Sequence, residues 1–285
     1  MPLAILIGFA LVFSVCIFLL QNRMIYYPSR YDSAWLDRMR GAITFLPFET
    51  SQGSQQAYYV PPRAPAAHAA PPVRLWVLFH GNAARALDWL DTIEPLPDAG
   101  AAYLLVDFPG YGASAGKPTP GTILEASQGA LDALARDLNL DRAALNDRLH
   151  LMGYSLGAAA ALQLARHTGA RRIVLLAPFS DMLAMARRTV GWPLACLLRH
   201  RFDNRAALAA LAERPERPAV TILHGDADPL VPVEMSRQMA REHDWIELIE
   251  LPRADHDWLL DMAGDRLPAA MGMTAAPPIS PSLAP

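Results

Sequence analysis

Short, continuous apolar runs alternate along the chain with stretches of helical spacing. Runs at residues 43–50 and 56–61 flank Ser51-Gln52-Gly53-Ser54 and predict an N-terminal hairpin. Six more runs, most of them almost wholly apolar, predict strands at 73–79, 101–106, 149–152, 173–177, 220–223 and 245–251. Helical spacing falls between them, at 85–93, 122–138, 233–241 and 258–262 and in the Ala/Leu run after Gly157. In the stretch 122–138 it is carried by Ile123, Leu124, Leu131, Leu134 and Leu138. Residues 179–217 break the alternation with helical stretches at 182–190, 194–198 and 205–211 and no strand pattern. The pattern predicts an α/β fold, a mostly parallel sheet with helices on both faces. The block 179–217 is then a cap insertion over the carboxyl ends of the strands, where such sheets bind ligands. Residues 62–72 read as a loop rich in Pro and Ala. Residues 263–285 are rich in Ala, Pro and Met without periodicity and read as a mobile, disordered tail.

Residues 3–20 differ in kind. They hold no charge, and Ser14 is their one polar side chain. An 18-residue helix rises about 27 Å, near the lower limit for crossing a bilayer. A buried core helix would show a polar face, and this one has none. A cleaved signal peptide is the serious rival, but no charged side chain precedes the run and no A-x-A-like site follows it. Phe13-Ser14-Val15 before Cys16 also makes a poor lipoprotein cleavage box. The reading is a single-pass N-terminal membrane anchor over residues 1–22, followed by a catalytic domain over 23–262. Arg23, Arg30, Arg38 and Arg40 follow the span and put that domain on the cytoplasmic side. Tyr26, Tyr27 and Tyr31 fit an interfacial aromatic belt or, equally, packing on the domain.

Composition narrows the function classes. At 285 residues, with 52% apolar and 19% charged, the chain has material for a large buried core. A net charge of −3 and the absence of any Lys/Arg-rich run give no case for nucleic acid as a partner. Cys16 and Cys196, one in the apolar segment and one in the cap, form no disulfide framework or metal-ligand spacing.

The chemistry centres on Gly153-Tyr154-Ser155-Leu156-Gly157. An apolar strand before it and a small-residue helix after it place Ser155 on a tight strand-to-helix turn, with the two glycines removing side chains that would collide there. A serine hydroxyl of ordinary pKa needs a base within hydrogen-bond reach and a carboxylate to orient that base. Both are expected after later strands, in the order Ser, Asp or Glu, His. After the run 220–223 comes His224-Gly225-Asp226-Ala227-Asp228, in which Asp228 is the choice for the orienting acid and Asp226 the alternative, as a turn cap. After 245–251 comes His256, the one histidine beyond the last strand and the expected general base. His224 is expected to steady the Asp228 loop, His243 to end a helix and His150 to lie in the core. Two N–H donors are expected for an oxyanion, from Leu156 and from the His80-Gly81-Asn82 loop. Asn82 is favoured through its backbone rather than its side chain, with Ala83 also possible.

His80-Gly-Asn-Ala83, Asp107-Phe-Pro-Gly110-Tyr-Gly112-Ala-Ser114, Gly153-Tyr-Ser155-Leu-Gly157, Ala177-Pro-Phe-Ser180, His224-Gly-Asp-x-Asp228-x-x-Val-Pro232 and His256 together resemble the alpha/beta hydrolase superfamily. Within it they are most similar to the N-terminally anchored serine hydrolases of the alpha/beta hydrolase domain-containing protein 13 and 17 type. Arg23-Met-Ile-Tyr-Tyr-Pro28 resembles that group's entry to the catalytic domain, whereas Pro109 stands where the group commonly has arginine. The resemblance implies an eight-stranded sheet, a small helical cap and a Ser155–Asp228–His256 triad. The expected activity is cleavage of carboxylic esters or thioesters through an acyl-enzyme, without cofactor or metal. An amidase or peptidase on the same triad, or a catalytically silent tethered binding protein, are the rival readings. The expected partners are the bilayer and a small-molecule or lipid acyl ester; oligomeric state is not legible in the sequence.

Overall fold

The computed structural model describes residues 2–41, 43–64 and 72–273. A long helix, α1 (Pro2–Ile25), is followed by a short α2 (Ser33–Met39) and the hairpin β1 (Thr44–Thr50) and β2 (Gly53–Val60). Then come β3 (Arg74–Phe79), a 3₁₀ turn (Ala86–Trp89) running into α3 (Leu90–Ile93), β4 (Ala101–Val106), α4 (Pro120–Asp137) and α5 (Arg142–Asn146). The second half carries β5 (Leu149–Tyr154), α6 (Leu156–Ala165), β6 (Arg172–Leu176) and the cap, with α7 (Met182–Val190), a 3₁₀ turn (Leu194–Leu197) and α8 (Asn204–Ala212). The chain continues through β7 (Ala219–Gly225), α9 (Val233–Glu242), β8 (Ile246–Leu251), α10 (Leu259–Ala263) and α11 (Arg266–Ala270).

The eight strands form one sheet in the order β1-β2-β4-β3-β5-β6-β7-β8. β1 and β2 pair antiparallel, and β2 meets β4 antiparallel with Ala57 opposite Val106. The other pairs are parallel. Side-chain alternation along each strand divides the core in two. Leu75, Val77 and Phe79 point to the face covered by α4, α6 and α8, while Trp76 and Leu78 point to the face with Trp89, Leu259 and Leu267. Because both faces are covered, β3 and β4 need apolar residues almost throughout.

A parallel sheet brings the carboxyl ends of β3, β5, β7 and β8 to one edge, and the loops leaving them carry Asn82, Ser155, Asp228 and His256. The cap helices over this edge start on aspartates: Asp181 accepts from the Ala184 N–H (2.7 Å) and Asp203 from the Ala206 N–H (2.9 Å).

Residues 263–273, expected to belong to a mobile tail, are instead packed on the domain. Leu267, Ala270, Met271 and Met273 are buried, and Arg172 donates to the Ala270 carbonyl (3.1 Å). The apolar spacing of α11 is too short to show as a period amid alanine and proline. Residues 274–285 lie outside the described residues, as does most of the proline-rich loop.

The N-terminal helix is long and apolar enough over Ile7–Ile25 to span a membrane. Ile7, Phe9, Leu11, Val12 and Phe13 are exposed, which a buried core helix does not allow. Its last turns are tied to the domain. Gln21 is buried, donates to the Leu197 carbonyl (2.6 Å) and accepts from the Arg199 N–H (2.7 Å), and Asn22 donates to the Pro118 carbonyl (2.6 Å). Tyr26 and Tyr31 pack on the domain, while Tyr27 is exposed.

Candidate active site

Ser155 occupies the turn between β5 and α6 with φ +54° and ψ −110°, a backbone conformation that residues other than glycine rarely adopt. Its N–H donates to the Leu176 carbonyl (2.8 Å), which holds the turn against β6. A Cβ on Gly153 would collide with the Gly157 carbonyl, and one on Gly157 with the Phe79 carbonyl. Glycine is therefore required on both sides of the serine for strand and helix to approach this closely.

Asp228 and His256 meet directly, with Nδ1 of His256 donating to Oδ2 of Asp228 at 2.6 Å. The other carboxylate oxygen accepts from the N–H groups of Leu230 and Val231, both at 2.8 Å. Buried His224 stands 3.4 Å from Oδ2 and bonds the Val231 carbonyl (2.8 Å) and Ser236 (2.6 Å). Burial alone would push the Asp228 carboxyl up, but the hydrogen bonds from His224, His256 and the Val231 N–H hold it well below the usual carboxylate range. Asp226 has the other task, accepting from the Arg253 N–H (2.6 Å) in the loop that leads to His256.

Tyr154 links the two halves of the site. Its ring stacks on the His256 imidazole at 5.2 Å and its hydroxyl donates to the His256 carbonyl. Among the described residues, no hydrogen bond joins the Ser155 hydroxyl to His256.

Leu156 is the first residue of α6, so its N–H has no partner within the helix. Asn82, Ser155 and Leu156 line one cavity of about 330 Å³, walled otherwise mostly by apolar groups of α1 and the cap. Phe179, Met182, Met185 and Leu198 line it, while Trp192 stays 67% exposed. The Asn82 side chain matters more than the sequence suggests. Its Oδ1 accepts from the Tyr27 N–H (3.0 Å) and the Tyr111 hydroxyl (2.6 Å), and its Nδ2 donates to the Ile25 carbonyl (2.7 Å). These bonds lock the loop after β3 to the exit of α1.

Behind this loop lies a buried polar knot that sequence reasoning missed. Asp107 is fully buried and accepts from the hydroxyls of Tyr31 (3.0 Å) and Tyr58 (2.9 Å) and the N–H groups of Ala86 (2.9 Å) and Ala113 (3.1 Å). Its position straight after β4 was the one available signal, since an acid ending an apolar run needs partners if it is buried. Among the described residues, no group of three or more His, Cys, Asp or Glu side chains is arranged to hold a metal ion.

His80, beside the same loop, accepts from the Phe108 N–H (3.4 Å), and its other ring nitrogen bonds the Gly81 carbonyl (2.8 Å), an arrangement that suits the neutral ring. Burial pushes its pKa down from 6.5 to about 4. The unfolded chain therefore holds more protons between these values, and stability falls as pH drops through that window. The expected slope from His80 is at most about 1.4 kcal/mol per pH unit. Half-buried His150, also pushed down to about 4, acts in the same sense. Urea midpoints at a series of pH values from neutrality to pH 5 should decline, and a His80→Gln variant should flatten the decline.

A family model described as "Alpha/beta hydrolase family" matches residues 76–210. An alpha-beta hydrolase from Vibrio vulnificus is similar over 85% of this chain and 85% of its own, with a TM-score of 0.64 and 18% identity. The chain has the alpha/beta hydrolase fold. The Pyrococcus furiosus esterase Pf2001 shares this fold over 87% of this chain and 97% of its own, with a TM-score of 0.63 and 14% identity. In sequence, the uncharacterized protein YfhR of Salmonella typhi is 27% identical over 258 residues, which cover 85% of this chain and 84% of YfhR. In the alpha/beta hydrolase fold seen here, the loops leaving β3, β5, β7 and β8 supply the whole polar constellation.

Proposed function

We propose that the protein is a membrane-anchored serine hydrolase that cleaves carboxylic esters or thioesters through a covalent acyl-enzyme. The observation that carries this reading is the Asp228–His256 hydrogen bond of 2.6 Å, beside a serine held at φ +54° on an elbow. The esterase-like neighbours support the same class. Ser155 is the nucleophile. Its Oγ–H proton passes to Nε2 of His256 as Oγ attacks the acyl carbonyl. Asp228, ionised at neutral pH, holds the imidazole through Nδ1 and stabilises its charged form. The oxyanion is received by the N–H groups of Leu156 and Asn82, each worth about 3–4 kcal/mol of barrier lowering. The carbon–oxygen or carbon–sulfur bond then breaks, and His256 gives its proton to the departing alcohol or thiol. Water attacks the acyl-serine, passing its proton to His256, which returns it to Oγ as the acid leaves.

The finer resemblance to the anchored hydrolases of the 13 and 17 type supports a tethered enzyme, with α1 as a single-pass span and the domain on the cytoplasmic side. Matched ester and amide substrates with the same acyl group test the reaction class. Ester turnover that exceeds amide turnover by at least about 100-fold is expected. Faster amide cleavage would favour a peptidase, and turnover of neither would favour a binding protein.

A further inference from the structure

α1 does more than end near the site; it builds part of it. Ile17, Gln21, Met24 and Ile25, at helical spacing on one face, line the 330 Å³ cavity that holds Ser155. A second cavity of about 430 Å³ adjoins it, lined by Phe13, Cys16 and Leu20 and sharing Ile17, Met24, Thr189, Val190 and Leu194 with the first. The two form one path along α1 between the helix and the cap. From Met24 to Phe13 that path rises about 16 Å. Its outer end lies within Ile7–Ile25, the stretch apolar enough to span a membrane.

The cap carries cation–ring pairs near this helix. Trp192 is exposed with the Arg187 guanidinium 5.3 Å from its ring centre, and Arg199 lies 5.0 Å from the ring centre of Phe18 on α1. Aromatic rings paired with long cationic side chains suit the headgroup level. The two hydrogen bonds of Gln21 to the cap fix the rotation of α1, so the same apolar face stays turned to the path.

We propose that this path is an acyl port. One long acyl chain of a membrane lipid ester passes sideways from the bilayer between Ile17 of α1 and Thr189 of the cap, and its carbonyl reaches Ser155. The port rests on the hydrolase and anchor readings and adds the substrate class. The span is then a wall of the binding site, and a chain already in hydrocarbon reaches the serine without crossing water.

The test uses the full chain in lipid nanodiscs, with monobutyrylglycerol and monopalmitoylglycerol as substrates. Cys16→Trp and Leu20→Trp each fill the outer cavity, whose lining does not include Ser155, while Leu19→Trp places the same bulk on an exposed face of α1. In the two path variants, kcat/KM for the palmitoyl ester should fall at least about tenfold, with the butyryl ester changed less than about twofold. Leu19→Trp should change neither. Equal losses on both esters, or no loss on either, would overturn the port. Preference for a palmitoylated peptide over palmitoylglycerol would overturn the choice of a lipid ester. Wild-type protein that hydrolyses the butyryl ester but ignores the palmitoyl one would sink the port and leave the hydrolase reading standing. Wild-type protein inert toward both esters would sink the hydrolase reading itself.

Discussion

The Ser155→Ala variant is expected to lose ester turnover by roughly 10⁴-fold or more while keeping its fold. The change removes one oxygen and leaves the Cβ in place, so the elbow still closes. The residual rate would come from the oxyanion donors and from binding, which the variant retains. His256→Ala should fall by a similar factor, and Asp228→Asn by about 10⁴-fold, because an amide at 228 no longer holds the imidazole in its working tautomer. If these three act as one unit, the Ser155→Ala, His256→Ala double variant should be no slower than either single one. Losses that multiply would mean the residues act separately. Steady-state kcat/KM with circular dichroism on each variant decides between these outcomes.

Asp107→Ala should produce the largest loss of stability of any single polar change, about 3–5 kcal/mol by urea unfolding. The buried carboxyl bonds two tyrosine hydroxyls and two backbone N–H groups, and its removal leaves the buried Tyr58 hydroxyl and Ala86 N–H without it. For a domain whose total stability is about 5–15 kcal/mol, that brings the folded state close to failure. Tyr58→Phe removes one partner only and should cost about 1 kcal/mol. A cost under about 1 kcal/mol for Asp107→Ala would show that the knot is dispensable. Because Ala86 and Ala113 flank the loops around Asn82, the surviving folded fraction should also show reduced turnover.

The order of elements was legible because a parallel sheet writes itself as apolar runs separated by helices. The strand at Ala101–Val106 and the cap helix Met182–Val190 have the bounds that their patterns predict. The site was legible for the same reason. Each loop of the candidate site leaves a strand at its carboxyl end, so chain position alone ranks Asp228 and His256 above the other acids and histidines. Within that loop the sequence already favours Asp228 over Asp226, and the two carboxyls face different partners. Three short helices, Ser33–Met39, Arg142–Asn146 and Arg266–Ala270, left no readable stripe because five to seven residues give at most two turns. The helix expected over 85–93 is in part a 3₁₀ turn, Ala86–Trp89, which shares the same local apolar spacing. Contacts across long sequence distances were invisible. Asp107 bonds Tyr31 across 76 positions, Asn82 bonds Tyr27 across 55, and Gln21 bonds Leu197 across 176. No local pattern encodes such pairs. The last of them fixes the end of α1, expected only as a tether, against the cap beside the cavity that Ser155 lines.

Labelling with a fluorophosphonate probe is the most direct measurement of the central claim. The probe phosphonylates a serine only where a base activates it and donors receive the oxyanion. Folded full-length protein should take up one equivalent, with the adduct on the peptide that contains Ser155 by mass spectrometry and no adduct in Ser155→Ala. Folded protein that takes up no probe, or carries it on a different serine, would contradict the account.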